Sequence, residues 1–465
     1  MKRFLPSIIL LLSVLPVYSY AEIANSIPDT EVFLTTKQAA EQGDAAAQNK
    51  LGGMYHEGQG VVQSYLTAFK WYKKAADQGY APAQFSIGSM YSRGEGMSQS
   101  DSEAFKWYKK AADQNYSAAQ ANLGAMYGFG KVVPQSYSEA FKWFKKVTER
   151  EYAESDLAAD AAATTVAYLN LGGMYYEGRG VSQSYSEAFK WYKKAADQGN
   201  ASAQVSVGTM YAEGKGTHQS DSEAFKWFKK AADQDDPYAQ HNLGSMYSGG
   251  EGIPQSDSEA FKWFKKAANQ GNTNSQYLVA SMYSKGEGTP QSDSEAMQWY
   301  KTAANQGMAN AQDRLGDMYK DGKGAYQSYS EAFKWFKKAA DQGDAYAQIS
   351  LASMYQDGKG VDKDNKKAAE WYKKAADQGD AYAQGYLGLM YEYGKGLPQN
   401  YEKAAEWYKK AADQGDNLAQ FDLGIMYQYG RGVRQSNVQA KKWFGKACDN
   451  GNQKGCNNYR KLNLK

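Results

Sequence analysis

The chain has 465 residues, with 46 Gly but only 9 Pro, and Trp, Tyr and Phe make up 14% of it. A mean hydropathy of -0.74 and a formal net charge of +3 argue against a membrane protein and against a nucleic-acid-binding protein. Two cysteines and three histidines leave little material for a metal centre, and the aromatic content is too high for a disordered chain.

The first residues have the pattern of an export signal. Lys2 and Arg3 precede an apolar run from Leu5 to Val17, and small residues stand before a cleavage site after Ala21. This pattern predicts a secretory signal peptide over residues 1–21. A retained membrane anchor is the alternative, but it needs roughly 20 apolar residues, more than this run offers. We therefore expect a periplasmic or secreted protein with no membrane span after cleavage.

One unit recurs along the rest of the chain. Eleven tryptophans follow one another in steps of 36, 36, 48 and then seven times 36 residues, and a Met-Tyr pair keeps the same rhythm. This period predicts an N-terminal segment and capping half-repeat over 22–43, three repeats over 44–151, an insertion over 152–163, eight repeats over 164–451 and a C-terminal cap over 452–465. The tryptophans, which we expect in the structural core, are Trp71, Trp107, Trp143, Trp191, Trp227, Trp263, Trp299, Trp335, Trp371, Trp407 and Trp443.

Each unit contains the signals of two helices, which we call helix A and helix B. In the second copy, small and apolar residues at helical spacing predict helix A from Ala83 to Ser92. Gly94 and Gly96 tolerate positive φ in the loop, and Ser100 with Glu103 has the spacing of a capping box that starts helix B. Helix B ends at Gln114 and is expected to bury Ala104, Trp107, Tyr108, Ala111 and Ala112. Small residues two positions before each Met allow the paired helices to approach, with Trp and Met filling the gap.

The repeat therefore predicts an all-α fold, an α/α superhelical solenoid of about eleven 36-residue helix-turn-helix repeats. The segment from Leu171 to Gln204, LGGMYYEGRGVSQSYSEAFKWYKKAADQGNASAQ, resembles the Sel-1-like repeat (SLR) family, a relative of the tetratricopeptide repeats. The resemblance implies an adaptor or scaffold in protein complexes, and exported bacterial members of the family include host-interaction and virulence factors. The third copy departs from the pattern, because Val132 stands where the second loop glycine is expected.

The two cysteines resemble those of one group within this family. Cys448 and Cys456 resemble the cysteine pair that cysteine-rich secreted SLR proteins carry in each unit. The resemblance implies a disulfide that joins the last helix B to the terminal half-helix, and an oxidising compartment would favour it. Two free thiols are the alternative.

Comparison of the eleven copies indicates where a partner could bind. Counted from the Met of the Met-Tyr pair, helix A positions -5, -1 and +2 form a stripe on the face opposite the apolar one, and there the copies differ most. In related solenoids helix A lines the concave side, so this stripe would be the floor of a protein-binding groove. Drift at solvent-facing positions is the alternative. The candidate partner-binding residues are Phe85, Leu169, Tyr176, Val205, His241, Tyr277, Ile349 and Phe421.

The twelve extra residues between the third and fourth copies have two interpretations. They lengthen a helix pair or form a projecting loop, or they are a joint that divides the array into blocks of three and eight units. Their Ala-rich composition does not decide between the two.

The sequence offers no catalytic motif. It lacks H-E-x-x-H, C-x-x-C, G-x-S-x-G and a P-loop, and His56, His218 and His241 occupy unrelated positions that read as incidental surface residues. We therefore expect a non-enzymatic protein without cofactor or metal, a monomer that binds protein within the envelope or on a host. The alternatives are a periplasmic β-lactamase-like or penicillin-binding protein, although S-x-x-K is missing, and a cell-wall glycan binder that uses its tyrosines.

Overall fold

The computed structural model describes residues 29–149 and 157–463, and over these ranges the chain forms 24 α-helices and no strand. The all-α prediction is therefore confirmed. The chain divides into two compact units, residues 1–255 and 256–465. The predicted signal peptide and its cleavage site lie outside the described residues.

The first unit contains twelve helices, most of them 13 residues long. Helix α1 precedes the repeats, even-numbered helices are helix A of each repeat, and odd-numbered helices from α3 onward are helix B. They are α1 (Asp29–Glu41), α2 (Ala45–Glu57), α3 (Tyr65–Asp77), α4 (Ala81–Arg93), α5 (Asp101–Asp113), α6 (Ser117–Phe129), α7 (Tyr137–Thr148), α8 (Leu157–Glu177), α9 (Tyr185–Asp197), α10 (Ala201–Glu213), α11 (Asp221–Ala232) and α12 (Pro237–Gly249).

The second unit continues the alternation and ends with a single helix after the last repeat. Its helices are α13 (Asp257–Asn269), α14 (Thr273–Lys285), α15 (Asp293–Asn305), α16 (Ala309–Asp321), α17 (Tyr329–Asp341), α18 (Ala345–Asp357), α19 (Asn365–Asp377), α20 (Ala381–Tyr393), α21 (Tyr401–Asp413), α22 (Asn417–Tyr429), α23 (Asn437–Asp449) and α24 (Gln453–Asn463).

Side-chain caps and glycines set the helix ends. Ser100 accepts the backbone N–H of Glu103 at 3.2 Å and starts α5, while the Glu103 carboxylate pairs with Lys106 at 2.6 Å. The serine half of the predicted capping box is thus present. Helix A ends at a left-handed glycine, as at Gly94 with φ of 72°.

The contact between paired helices A and B is made by the aromatic residue that follows each Trp. A Cβ on Gly88 would lie 2.7 Å from the Tyr108 ring, and one on Gly208 would lie 2.7 Å from the Phe228 ring. Tyr72, Phe144 and their equivalents are among the largest fully buried side chains. The expectation that Trp and Met fill the gap opposite the small residue is therefore incomplete, because Tyr or Phe occupies it.

The tryptophans instead connect successive repeats. Trp227, on α11, belongs to the same core cluster as Tyr192 of α9 in the preceding repeat and Met210 of α10 in its own repeat. Burial varies along the chain: Trp71, Trp263, Trp299 and Trp407 are half-buried, whereas the buried ones are Trp107, Trp143, Trp191, Trp227, Trp335, Trp371 and Trp443.

The insertion lengthens one helix. Helix α8 has 21 residues against 13 in α10, and its first residues, 157–163, belong to the predicted insertion. It contacts both α7 and α6. Residues 150–156, which hold the rest of the insertion, lie outside the described range.

The last helix is tied to the repeat before it by a disulfide. Cys448 on α23 and Cys456 on α24 are bonded, with their Cα atoms 4.5 Å apart. The buried Gly455 lies against the Ala447 side chain, where a Cβ would come within 2.8 Å. This is the pairing that the family resemblance implied.

Candidate functional site

Buried glutamines fix the spacing between successive repeats and hold the helix A face in place. Gln84 of α4 donates to the carbonyl of Ala76 at 3.3 Å, and its own side-chain oxygen accepts from Gln114 at 2.8 Å. The same pair of bonds recurs in the second unit, where Gln348 donates to Ala340 and accepts from Gln378. We call this arrangement the glutamine ladder. Sequence analysis missed it, although a Gln six residues before Met in successive copies was its signal.

In the first unit the candidate stripe is largely covered. Phe85, Val205 and His241 retain exposures of only 3%, 0% and 5%, so the expectation that they lie open on a groove floor is wrong. The Phe85 ring lies 5.5 Å from that of Tyr108 and 5.3 Å from that of Tyr116 of the next repeat. In these three copies position -5 therefore faces inward.

The histidines also differ from their description as incidental surface residues. Burial lowers the pKa of His241 to about 4, which keeps its imidazole neutral near pH 7. His56 is half-buried, with Nε2 2.8 Å from the carboxylate of Glu95 in the equivalent loop of the next repeat. Only His218 is exposed.

Leu169 and Tyr176 of α8 are half-buried. The Tyr176 hydroxyl accepts from Lys215 at 3.0 Å, and its ring lies 5.0 Å from Tyr185. Burial raises the pKa of Tyr176 above its ordinary value. Tyr176 is therefore engaged within the unit while part of its side chain stays accessible.

In the second unit the candidates Tyr277, Ile349 and Phe421 are all half-buried. Tyr277 packs against Tyr300 at 5.4 Å between ring centroids, and Phe421 against Phe444 at 5.7 Å. Tyr277 and Phe421 therefore pack against the aromatic residue of helix B, and Ile349 packs against the core cluster of its repeats, while all three keep one side toward solvent. These positions remain candidates, whereas the buried residues of the first unit do not offer a free surface.

The last two helices A carry an apolar surface of which the sequence pattern indicated only Phe421. Tyr382, Tyr393, Leu418 and Tyr429 are exposed by 47%, 62%, 62% and 60%. They follow helical spacing with half-buried side chains on the same two helices, so they share one face of α20 and of α22. We call this surface the C-terminal patch: Tyr382, Tyr386, Leu389, Tyr393, Leu418, Phe421, Ile425 and Tyr429.

Two carboxyl groups on the helix A face have strongly raised pKa values. Burial, with repulsion from Asp317 and Asp344, raises the pKa of Asp313 to about 7. Burial, with repulsion from Glu392 and Asp416, raises the pKa of Asp422 to about 7. Both groups therefore lie in surroundings that favour a neutral acid or a neighbouring cation.

The lysine pairs of helix B cover the tryptophans. Lys110 lies 4.2 Å from the centre of the Trp107 ring on the same helix, and Lys109 lies 5.5 Å from that of Trp143 in the next repeat. Lys109 also pairs with Asp113. These cations are thus matched by aromatic faces and carboxylates and do not form a free basic stripe.

Within residues 29–149 and 157–463, no group of three or more His, Cys, Asp or Glu side chains is arranged to hold a metal ion. Over the same described ranges, no helix combines the length and apolar character required to cross a bilayer.

Comparison with known proteins gives the repeats a family context. A profile of the Sel1 repeat matches residues 45–80, 81–116, 117–150, 165–200, 201–236, 237–272, 273–308, 309–344, 345–380, 381–416 and 417–452. The eleven copies predicted from the tryptophan spacing are thereby confirmed. No curated protein matches the chain.

Two solved structures are similar over most of their length. One is a protective antigen present in uropathogenic Escherichia coli strains and displaying an SLR fold, with 35% identity over 93% of this chain and 90% of that protein, and a TM-score of 0.74. The other is a Sel1 repeat protein from Oxalobacter formigenes, with 32% identity over 69% of this chain and 93% of that protein, and a TM-score of 0.54.

Proposed function

Because the chain belongs to the Sel1 repeat family, whose members are generally protein–protein interaction scaffolds, we propose that it is an exported, non-enzymatic scaffold that binds a partner protein along its helix A face. The observation that carries the proposal is the apolar and aromatic surface on helices A, most of all the exposed Tyr382, Tyr393, Leu418 and Tyr429. Exposed aromatic side chains on a rigid scaffold are typical anchors of protein interfaces.

Two observations support export. The Cys448–Cys456 disulfide is of the kind that persists in oxidising compartments such as the periplasm or the exterior. The relative from uropathogenic Escherichia coli is described as a protective antigen, and a host-facing role of this chain follows from that description by analogy. The proposal therefore includes a partner in the envelope or on a host.

Site-specific photo-crosslinking in the native cell tests the proposal. A photoreactive amino acid replaces Tyr176, Tyr277, Tyr393 or Tyr429 on helices A, and in matched controls replaces the exposed Lys106 or Lys334 on helices B. We expect discrete protein adducts from one or more helix A positions and none from the helix B positions. Absence of adducts from every helix A position contradicts the proposal.

Enzymatic activity is tested separately on the purified chain. We expect no hydrolysis of nitrocefin above the buffer rate. Turnover would replace the scaffold proposal with the β-lactamase-like alternative.

A further inference from the structure

The C-terminal patch differs from the same face of the other repeats at one position in particular. Immediately before Met, the nine earlier copies have Gly, Ala, Ser, Thr or Asp, whereas the last two have Leu389 and Ile425. Both side chains are half-buried, and exposed tyrosines lie on the same two helices. The scaffold does not require a large apolar residue here, since Ser281 and Ser353 occupy the same position in the same unit.

The patch residues of α20 are connected to α22 through the core. Leu389 packs against the cluster that contains Leu423 and Met426 of α22. On α20, the ring of Tyr386 lies 4.6 Å from Tyr382 and 5.2 Å from the buried Tyr372. The exposed Tyr382 therefore packs on other rings and is held in place before any partner binds, which lowers the entropic cost of binding.

Carboxylates lie within this apolar surface. Glu392 is 7% exposed and accepts the Tyr408 hydroxyl at 2.9 Å, with Arg431 at 3.7 Å on its other oxygen. Asp422 is half-buried, and within the described residues it has neither a hydrogen-bond nor an ion-pair partner. Burial and repulsion from Glu392 and Asp416 outweigh the attraction of Lys454, so the pKa of Asp422 is raised to about 7.

Two basic residues beside the patch, Arg431 and Lys395, are already engaged. Arg431 lies near Glu392 and 5.6 Å from the Tyr429 ring, and Lys395 lies 5.8 Å from the Tyr393 ring. Among the described residues Asp422 thus has no ion-pair partner on this face, and Lys454 attracts it without pairing with it. An incoming ammonium or guanidinium group would pair with it and lie beside aromatic faces, which also attract cations.

We propose that the C-terminal patch docks a short segment of a partner protein that carries a Lys or Arg between apolar side chains, with the cation at Asp422 and the apolar groups on Leu389, Ile425 and the exposed tyrosines. This inference rests on the proposed scaffold function and specifies the partner's chemistry. A second copy of the same chain is a poorer occupant, because patch-to-patch contact would bring Asp422 and Glu392 toward their own duplicates.

The test uses the full chain and a phage-displayed library of short random peptides as the probe. We expect enrichment of peptides that combine Lys or Arg with aliphatic or aromatic residues. The most enriched peptide is then synthesised with a fluorescent label, and its affinity for each variant is measured by anisotropy. Acidic peptides, or no enriched peptide, would overturn the proposal.

The variants follow residues that the chain itself uses at equivalent positions. Leu389→Ser with Ile425→Ser copies Ser281 and Ser353, and Asp422→Asn copies Asn122, Asn170 and Asn242. We expect the double variant to weaken binding about tenfold or more, and Asp422→Asn about fivefold with a reduced salt dependence. Tyr326→Ser, which changes a 97% exposed tyrosine in a loop, is the control and should bind as wild type. Unchanged affinity in both patch variants contradicts the proposal.

Two further outcomes separate this inference from the function on which it rests. A dimer in sedimentation velocity that disappears in the Leu389→Ser, Ile425→Ser variant would assign the patch to self-association and overturn the inference. Adducts from Tyr176 or Tyr277 but not from Tyr393 or Tyr429 in the crosslinking experiment would refute the patch while leaving the scaffold function standing.

Discussion

Lysines from two repeats lie over a single tryptophan ring. Lys230 comes from the same helix as Trp227, at 4.1 Å from the ring centre, and Lys193 comes from the preceding repeat, at 4.9 Å. Trp227 is 6% exposed and packs into the core cluster formed by α9 of the preceding repeat and α10 of its own repeat. One side chain thereby combines apolar burial with cation contacts across the boundary between repeats.

Trp227→Ala should therefore destabilise the first unit by about 3 to 5 kcal/mol, because it leaves a cavity between two helix pairs. Denaturant unfolding and limited proteolysis near α9–α11 measure the effect. Trp299→Ala is the comparison: Trp299 is half-buried, Thr302 replaces the usual lysine, and no cation lies over its ring among the described residues. A smaller loss of stability is expected for Trp299→Ala. Equal stability of Trp227→Ala and wild type would refute the role of Trp227 in the core.

The carboxyl group of Asp313 makes stability depend on pH. Its exposure is 5%, and Oδ1 has no hydrogen-bond partner within the described residues. Asp317 and Asp344 repel its charge, and Arg314 and Lys320 attract it less effectively, so its pKa rises to about 7. In the unfolded chain the pKa returns to about 3.9. The folded form holds the proton more tightly, so its stabilising effect is complete below about pH 4 and is lost as the pH rises to about 7.

Asp313→Asn should remove this dependence. Asn49 occupies the same repeat position in the first copy, so the amide fits the fold. We expect the free energy of unfolding of wild type to fall relative to that of the variant between about pH 4 and pH 7. Denaturant unfolding at a series of pH values measures the difference. Parallel profiles of the two proteins would show that Asp313 does not titrate in this window.

Side-chain burial on the helix A face could be predicted only in part. Helical spacing correctly separated an inward stripe from an opposite one, but Phe85 and Val205 show that the opposite stripe also faces neighbouring repeats. A periodic pattern within one helix gives directions around its axis and not the distance to the next repeat. The C-terminal patch was missed because the stripe was defined by variability and not by apolar character at one position.

At the scale of helices and loops, the sequence predicted the boundaries well because the capping residues act locally. Ser100 and Gln114 bound α5 as expected, and Asp364 and Asn400 cap α19 and α21 in place of serine. It was harder to predict which helix B residue packs against the small residues of helix A. Trp and the residue after it are both aromatic, and the spacing alone does not say which of them points at the paired helix.

The second loop glycine sets how closely consecutive helix pairs approach. Gly396 has φ of 74°, and a Cβ there would lie 2.1 Å from the carbonyl oxygen of Asn365, the first residue of α19. Val132 replaces this glycine in the third copy and does not have positive φ, so that loop follows a different local path. Glycine is therefore required where the loop has positive φ and also lies directly against the backbone of a neighbouring helix.

Gly396→Ala should lower stability more than Gly379→Ala. Gly379 also has positive φ, 96°, but an added Cβ meets no atom within 4 Å, so its substitution carries only the backbone strain of about 1 to 2 kcal/mol. The clash at Gly396 adds about 1 to 3 kcal/mol. Denaturant unfolding of the two variants measures the difference in stability, which reports the contact between repeats. An equal loss of stability in both variants would show that the loop relaxes to avoid the clash.

At the scale of the whole molecule, the contacts imply that a destabilising substitution affects mainly its own repeat and the repeats next to it. Within each unit, helices pack mainly against their neighbours in the chain, with the additional contact of α6 and α8 around the lengthened helix. Stability in such arrays is approximately a sum of repeat and interface contributions, and end units fray first. The disulfide lies where this fraying would begin, between α23 and α24.

Removing the bridge with Cys448→Ser and Cys456→Ser should therefore loosen α24 and leave distant repeats unchanged. Closing so short a loop contributes about 2.5 kcal/mol in the chain-entropy model, and Gly455 against Ala447 retains part of the packing. Hydrogen exchange measures the effect: amides of α24 should exchange faster, while those of α16 in the same unit exchange as in wild type. The native chain, alkylated without reductant, should gain no mass. Faster exchange throughout the second unit would mean that its repeats unfold as one cooperative block, contrary to additive stability.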